Sequence, residues 1–161
     1  GQIEHQDVRR FAVAKKNVLL PVKPDTGDVD QALANAEEAL DAWRENGKDP
    51  RTALRKYVMS KKIAGGCCPV DFFAMQVNDT AAGFVSGEVF TELGEQIKAE
   101  SPAVRTLIAS TCGEDPFYMP TRKALAQGGY EAGYIATAET GESLVREIGE
   151  LIKAFYYGES K

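Results

Sequence analysis

The sequence predicts one α/β domain in which a mixed sheet is flanked by helices. The chain has 161 residues, of which 43% are hydrophobic and 27% are charged, which is typical of a single globular domain. A chain of this size buries about 70% of its unfolded surface, so it needs neither a disulfide nor a metal to hold a core. Segments with a strand period alternate with segments of helical period, which is typical of helices packed on a sheet. We therefore treat residues 1–161 as one domain.

Residues 1–66 are predicted to hold a strand pair followed by two helices. Apolar and polar residues alternate over Val8–Ala14 and again over Asn17–Val22, as one strand or two, and Pro21 favours the edge of the sheet. The period then becomes helical, which makes Asp28 the expected N-cap of a helix that ends at Gly47.

The second helix is expected to open at Asp49-Pro50, because an Asp cap followed by Pro at the first helical position is a common helix start. It should end before Gly65-Gly66. Beyond that point Val70–Val77 and Ala81–Val85 are rich in apolar residues and are separated by Asn78-Asp79, so they predict a β-hairpin.

A third helix is predicted to start near Glu88, and Val104–Thr111 is predicted to be a buried strand. Cys112–Pro120 reads as an irregular segment with two prolines. A short helix should follow, capped by Thr121 and closed by two glycines. The last helix is expected behind Thr140, because its apolar residues form one wide face: Leu144, Val145, Ile148, Leu151, Ile152 and Phe155.

Charge and composition exclude several classes of partner. The chain carries 19 basic and 24 acidic residues, a net charge of -5. Residues 67–161 hold most of the excess, and an acidic surface repels phosphate backbones, so nucleic acid is not an expected partner. No apolar run approaches the roughly 18 residues of a transmembrane helix. Three cysteines (Cys67, Cys68 and Cys112) form no disulfide framework and are interpreted as small core residues.

Two junctions that follow predicted strands are the candidate sites, because α/β sheets bind ligands beyond strand ends. In the first, Gly87 allows a sharp bend and Glu88 is expected in the first helical turn, where a carboxylate can coordinate a cation or take a proton. In the second, Tyr118 could point its hydroxyl into a cleft. Spacing alone also fits plainer interpretations, in which Glu88 is an ordinary first-turn residue and Tyr118 is a half-buried aromatic.

The succession of these segments resembles the neutral/alkaline ceramidase family and its bacterial hydrolase relatives. The resemblance covers residues 70–157, and residues 1–66 only loosely. It rests on the apolar hairpin, the final amphipathic helix and four short motifs between them. These motifs are Ser86-Gly87-Glu88-Val89-Phe90, Ile97-Lys98 before Ser101-Pro102, Tyr118-Met119-Pro120-Thr121-Arg122, and Gly128-Gly129-Tyr130-Glu131.

The resemblance implies a zinc-dependent hydrolase of the amide bond in N-acyl sphingoid lipids. In such enzymes the residues at the positions of Glu88 and Tyr118 are zinc ligands, together with two histidines. A hard oxygen pair can share Zn²⁺ with imidazoles, and the metal both polarises the carbonyl and activates a water. The resemblance assigns no further catalytic residue to this chain.

This chain departs from the family in three ways. Ser86 stands where the family has Pro, the loop at 113–117 differs, and the only histidine is His5, which lies outside any zinc-binding pattern. The chain alone is therefore not expected to hold Zn²⁺ tightly.

Two hypotheses follow from the resemblance and these departures. In the first, the chain is the C-terminal portion of a ceramidase-like amidase, inactive until an upstream segment supplies the histidines. In the second, it is a non-catalytic α/β domain that binds a partner or a small ligand. The expected partners are that upstream segment or a second copy of the chain, with a lipid as substrate.

Overall fold

A computed structural model describes residues 7–24, 28–63, 65–113, 117–132 and 135–158 of the chain. Within these ranges strands and helices alternate along the sequence. In chain order they are β1 (Phe11–Pro21), α1 (Val29–Asn46), α2 (Arg51–Ile63), β2 (Cys67–Val77), β3 (Thr80–Val85), β4 (Glu88–Val89), α3 (Thr91–Glu100), β5 (Arg105–Ala109), β6 (Tyr118–Met119), α4 (Arg122–Gln127) and α5 (Ala138–Tyr157).

The main sheet has four strands in the order β1-β2-β3-β5. β1 pairs with β2 and β2 with β3 in antiparallel fashion, whereas β3 and β5 are parallel and are connected through α3. β4 and β6 form a separate two-stranded parallel ladder. The α/β class with a mixed sheet, expected from the alternating periods, is confirmed.

The two faces of this sheet have different surroundings. The inner face, which carries Val18, Val70 and Phe72, is buried against Leu144 and Ile148 of α5. Side chains of a strand alternate between faces, so the neighbouring residues form the opposite face, here called the outer face. From the strand register, the outer face consists of Phe11, Val13, Lys15, Asn17 and Leu19 on β1, Pro69, Asp71, Phe73, Met75 and Val77 on β2, Thr80, Ala82 and Phe84 on β3, and Arg105, Leu107 and Ala109 on β5.

The helix predictions that rest on capping residues are confirmed. Asp28 Oδ1 accepts hydrogen bonds from the backbone N–H groups of Asp30 at 2.9 Å and Gln31 at 3.3 Å, and α1 ends at Gly47 with φ 73°. Thr121 caps α4 in the same way through the N–H of Ala124 at 3.0 Å. Because each cap satisfies N–H groups that have no partner within the helix, it determines where the helix begins.

The hairpin is also confirmed, and β1 is one continuous strand rather than a pair. β2 and β3 are joined by a tight turn in which Asn78 has φ 53°, a conformation that Asn tolerates better than most residues. The Asn78 side chain accepts the N–H of Arg9 at 2.8 Å, which ties the chain in front of β1 to this turn. Pro21 is the last residue of an edge strand. This position suits proline, because it has no N–H group to donate to a neighbouring strand.

Four predicted elements need correction, one of which is the helix expected to start near Glu88, since α3 begins at Thr91. The segment predicted as a buried strand, Val104–Thr111, contains the shorter β5, and this strand is an edge of the sheet with Leu107 exposed. An apolar run does not reveal that only one of its faces will be covered. The final helix begins at Ala138, in front of Thr140, and the segment predicted as irregular contains β6. His5 and residues 114–116 lie outside the described residues.

In the part of the chain that the structure describes, no helix combines the length and the hydropathy that crossing a bilayer requires.

Candidate metal centre

The candidate site lies where the two parallel strands of the main sheet end. The chain that follows β5 folds back on the chain that follows β3. The N–H of Thr111 donates to the carbonyl oxygen of Gly87 at 2.8 Å, and that of Cys112 donates to the carbonyl oxygen of Val85 at 3.0 Å. The two junctions singled out from the sequence therefore meet at the carboxyl edge of parallel strands, where α/β proteins bind ligands.

Ser86 connects three segments at this edge. Its hydroxyl oxygen is buried, and it lies 2.9 Å from the carbonyl oxygen of Cys112 and 3.3 Å from that of Asp71. The neighbouring Thr111 has φ 57°, which is unfavourable for a β-branched residue. Strained backbone of this kind persists only where the surrounding contacts hold it, and it is concentrated at functional sites.

Gly87 makes the bend between β3 and β4 possible. Its φ of 130° is a conformation that residues with a side chain rarely adopt. A Cβ atom there would lie 2.7 Å from Cε of Met119 and 3.0 Å from the carbonyl oxygen of Phe117. The close approach of Gly87 to the second junction therefore depends on the absence of a side chain.

Glu88 and Tyr118 are brought together by the ladder between β4 and β6. The N–H of Glu88 donates to the carbonyl oxygen of Phe117 at 3.1 Å, and the two residues Glu88 and Tyr118 are register partners in parallel strands. Register partners project their side chains to the same face, so the carboxylate and the phenol are neighbours. The convergence assumed in the sequence interpretation is what the strand pairing produces.

The local setting expected for Glu88 was wrong. Glu88 lies in a strand, and α3 begins only at Thr91, with Phe90 at its N-cap. The first turn of that helix, in which backbone N–H groups favour an anion, therefore does not include Glu88. Pattern reasoning missed the short strand because its partner, β6, lies in a part of the sequence that carries no strand period.

The electrostatic environment keeps the phenol of Tyr118 protonated. Loss of solvent around the half-buried ring and the negative charge of Glu88 raise the pKa of Tyr118 above its ordinary value. A hydrogen-bonding contact with the Glu88 side chain and the more distant charge of Glu131 act in the same direction. A phenol is already neutral at neutral pH, and the raised pKa keeps the Tyr118 hydroxyl a hydrogen-bond donor to higher pH.

The ring of Tyr130 packs edge-on against the ring of Tyr118. Their centroids are 6.1 Å apart and the ring planes make an angle of 72°, a favourable arrangement for an aromatic pair. Tyr130 and Glu131 belong to one of the motifs of the resemblance, but the resemblance gives them no role in the site. The Gly128-Gly129 pair in front of them predicts a turn. It does not predict which residues the chain contacts after that turn.

The donor set fits part of a zinc site. A carboxylate and a phenol oxygen are hard ligands that can share Zn²⁺ with imidazoles, and the acidic surroundings favour a cation. Among the residues that the structure describes, however, no group of three or more His, Cys, Asp and Glu side chains could hold a metal ion. Glu88 and Tyr118 are two oxygen-bearing side chains that the strand pairing makes neighbours.

Comparison of the chain with protein-family models, with curated proteins and with solved structures found no match in any of the three.

Proposed function

We propose that this chain is the C-terminal portion of a zinc-dependent amide hydrolase that resembles the neutral ceramidases and acts on N-acyl sphingoid lipids. In this proposal Glu88 and Tyr118 are two of the metal ligands. The observation that supports it is the register pairing of these two residues across β4 and β6. Both were singled out from sequence motifs far apart in the chain, and a shared metal requires them to be neighbours.

The two residues have distinct roles in the proposed site. Glu88 provides a carboxylate oxygen, and Tyr118 provides a phenol oxygen whose pKa is raised by loss of solvent and by the charge of Glu88. When bound, Zn²⁺ would polarise the amide carbonyl and lower the pKa of a water molecule. Tyr130 supports the orientation of the phenol through the contact between the two rings.

The imidazole ligands have to come from another polypeptide segment. The sequence contains one histidine, so a single copy of the chain cannot supply the two that the family uses. The proposal therefore assigns them to an upstream segment, and the isolated chain is expected to be inactive.

One observation favours a second candidate function, a non-catalytic α/β domain that binds a partner or a small ligand. The ladder that pairs Glu88 with Tyr118 and the ring contact between Tyr118 and Tyr130 need no cation. In that case the pair is a structural contact between β4 and β6, and removing it should change stability and leave zinc content unaffected.

The test is to express the chain together with the coding region directly upstream of Gly1, and to measure bound zinc and release of fatty acid from N-acyl sphingosine. We expect zinc-dependent hydrolysis. Glu88→Gln and Tyr118→Phe should each lower kcat/KM by on the order of 100-fold or more and lower the zinc content, since each removes or weakens one ligand.

Two substitutions of the same chemical type serve as controls. Glu95→Gln on α3 and Tyr157→Phe at the end of α5 change exposed residues away from the ladder, so they should leave both measurements unchanged. Zinc-dependent activity that survives in both Glu88→Gln and Tyr118→Phe would refute the ligand assignment. An assembled protein without any amidase activity would favour the non-catalytic alternative.

A further inference from the structure

We propose that the outer face of the main sheet binds a second copy of this chain, so that two sheets stack face to face across a two-fold axis. This inference concerns a surface and an assembly, and it does not depend on the proposed hydrolase activity. It starts from the difference in burial between the two faces of the sheet. The inner face is covered by α5, whereas the outer face presents large apolar side chains to solvent.

The exposed apolar side chains of the outer face lie on regular strands at both edges of the sheet. Phe11, Val13 and Leu19 on β1 are 63%, 59% and 65% exposed, and Leu107 on β5 is 61% exposed. Their neighbours on the inner face, Val18 and Leu20, are buried. Both edge strands therefore contribute apolar residues to one surface, and Phe73, Met75 and Phe84 fill the half-buried centre between them.

The area of this surface reaches the lower bound for a specific dimer interface. Four strands spaced about 4.8 Å apart, the longest rising about 3.3 Å per residue, present on the order of 500 Å² on the outer face. Two such faces together would bury about 1,000 Å², the lower bound for a specific interface, before any rim contact is counted. The largest apolar patch of a protein surface, typically about 300–600 Å², is often a functional one.

The charges on the outer face suit a second copy better than a partner of opposite charge. Lys15 and Asp71 lie on this face and neutralise each other, with Nζ of Lys15 2.7 Å from Oδ2 of Asp71. The same ammonium group lies 5.0 Å from the ring centroid of Phe73 and makes a cation–π contact with that ring. Arg105 is the remaining charged residue of the face. A chain with a net charge of -5 thus has one nearly neutral face with which it can approach its own copy.

Face-to-face stacking is also the usual way in which sheets bury apolar surface. Two sheets pack about 10 Å apart with their strands at about 30° or 90°, and a two-fold axis brings the same patch of each copy together. Joining the copies at the edges of β1 or β5 would pair backbone groups but leave the outer face in water. The two arrangements can therefore be distinguished by what happens to residues at the centre of the face.

The test measures mass and side-chain protection. Sedimentation or light scattering of the chain should give twice its mass of 17.5 kDa. Val13→Lys places a charge among the exposed apolar side chains of β1 and should raise the dimer dissociation constant at least about 100-fold. Val58→Lys is the matched control, because Val58 on α2 is 48% exposed and lies away from the sheet. It should leave the mass unchanged.

Oxidative footprinting distinguishes the face from the edges. Met75 lies on the outer face and Met59 on α2, and both are half-buried. We expect Met75 to become more reactive in Val13→Lys than in the parent protein, and Met59 to remain constant. Far-UV circular dichroism shows whether Val13→Lys is folded, and Leu19→Lys replaces it if it is not.

Three outcomes would overturn the proposal. They are a parent chain that stays monomeric at high concentration, a dimer that survives both lysine variants, and a dimer in which Met75 is as reactive as in the monomer. The last would indicate pairing at the sheet edges. None of these measurements involves zinc or amide hydrolysis, so they leave the proposed function untouched.

Discussion

The position of Glu88 depends on the residue in front of it. Gly87 turns the chain from β3 into β4 with φ 130° and approaches the backbone of Phe117 closely. The N–H of Glu88 can donate to that same residue, at 3.1 Å, only because this approach is possible. A glycine next to a candidate ligand is thus explained by geometry at the site.

Gly87→Ala is expected to lower the free energy of unfolding by about 1–3 kcal/mol, through the unfavourable positive φ and the clash with Phe117. Chemical denaturation measures this change. Gly149→Ala is the control, because the structure shows open space at that position of α5 and Ala is the better helix former. It should stabilise the protein by up to about 1 kcal/mol. Equal effects of the two substitutions would contradict this account of the bend.

The role of a residue could be predicted from the sequence when its partners are near it in the chain, and not when they lie on other segments. Asp28, Gly47 and Thr121 act through neighbours a few positions away, so their roles as caps could be predicted. Ser86 acts through carbonyl groups of Asp71 and Cys112, which lie on other segments. No local pattern indicates such partners, and the contact of Tyr118 with Tyr130 was missed for the same reason.

At the scale of elements, α5 holds the sheet through apolar packing and one ion pair. Ile148 of α5 approaches β3 so closely that a Cβ atom on Gly83 would lie 2.9 Å from its Cγ2. On the same helix, Glu147 is nearly buried and accepts hydrogen bonds from Lys16 of β1 and from Arg146. The helix thereby fixes the edge strand β1 as well as the centre of the sheet.

This ion pair predicts a pH dependence of stability. Burial raises the pKa of Glu147, but the hydrogen bonds from Lys16 and Arg146 outweigh it, so the pKa of Glu147 lies below its ordinary value of 4.5. The hydrogen bond to Glu147 likewise raises the pKa of Lys16 above 10.5. The contribution of the pair is therefore complete between these two values. It is lost as the pH falls through the lowered pKa of Glu147 or rises through the raised pKa of Lys16.

Glu147→Gln should cost about 1–2 kcal/mol near neutral pH and remove part of the loss of stability on acidification. Urea denaturation at a series of pH values measures both effects. Glu150→Gln is the control, since Glu150 contacts the same lysine at 3.6 Å but is 58% exposed, and such pairs contribute little. A stability profile that is identical in Glu147→Gln and the parent protein would contradict the role given to this pair.

Element predictions succeeded where the period was long and failed where an element was short. The helical period of α1 and α5 and the two runs around Asn78 identified two helices and a hairpin. β4 and β6 have two residues each, too few for any period, and exist only because their partners are close. The sequence therefore singled out Glu88 and Tyr118 as candidates, and not the strand pairing that makes them neighbours.

At the scale of the whole molecule, two surface features are not explained by the packing of the domain itself. The outer face of the main sheet exposes apolar side chains, and the candidate residues Glu88 and Tyr118 are register partners across β4 and β6. The sequence predicted the class of the fold but not the first feature, because an exposed strand face and a buried one have the same apolar residues. We propose a second copy of the chain as the partner of the face, and an upstream segment as the source of the remaining metal ligands.

The central claim is that Glu88 and Tyr118 share one metal ion in the assembled protein. Anomalous diffraction at the zinc absorption edge, from crystals of the chain joined to its upstream segment, tests it most directly. We expect a single strong peak about 2.0–2.2 Å from a Glu88 carboxylate oxygen and near the Tyr118 hydroxyl. A zinc peak elsewhere in the molecule, with neither of the two side chains in contact with it, would contradict the claim.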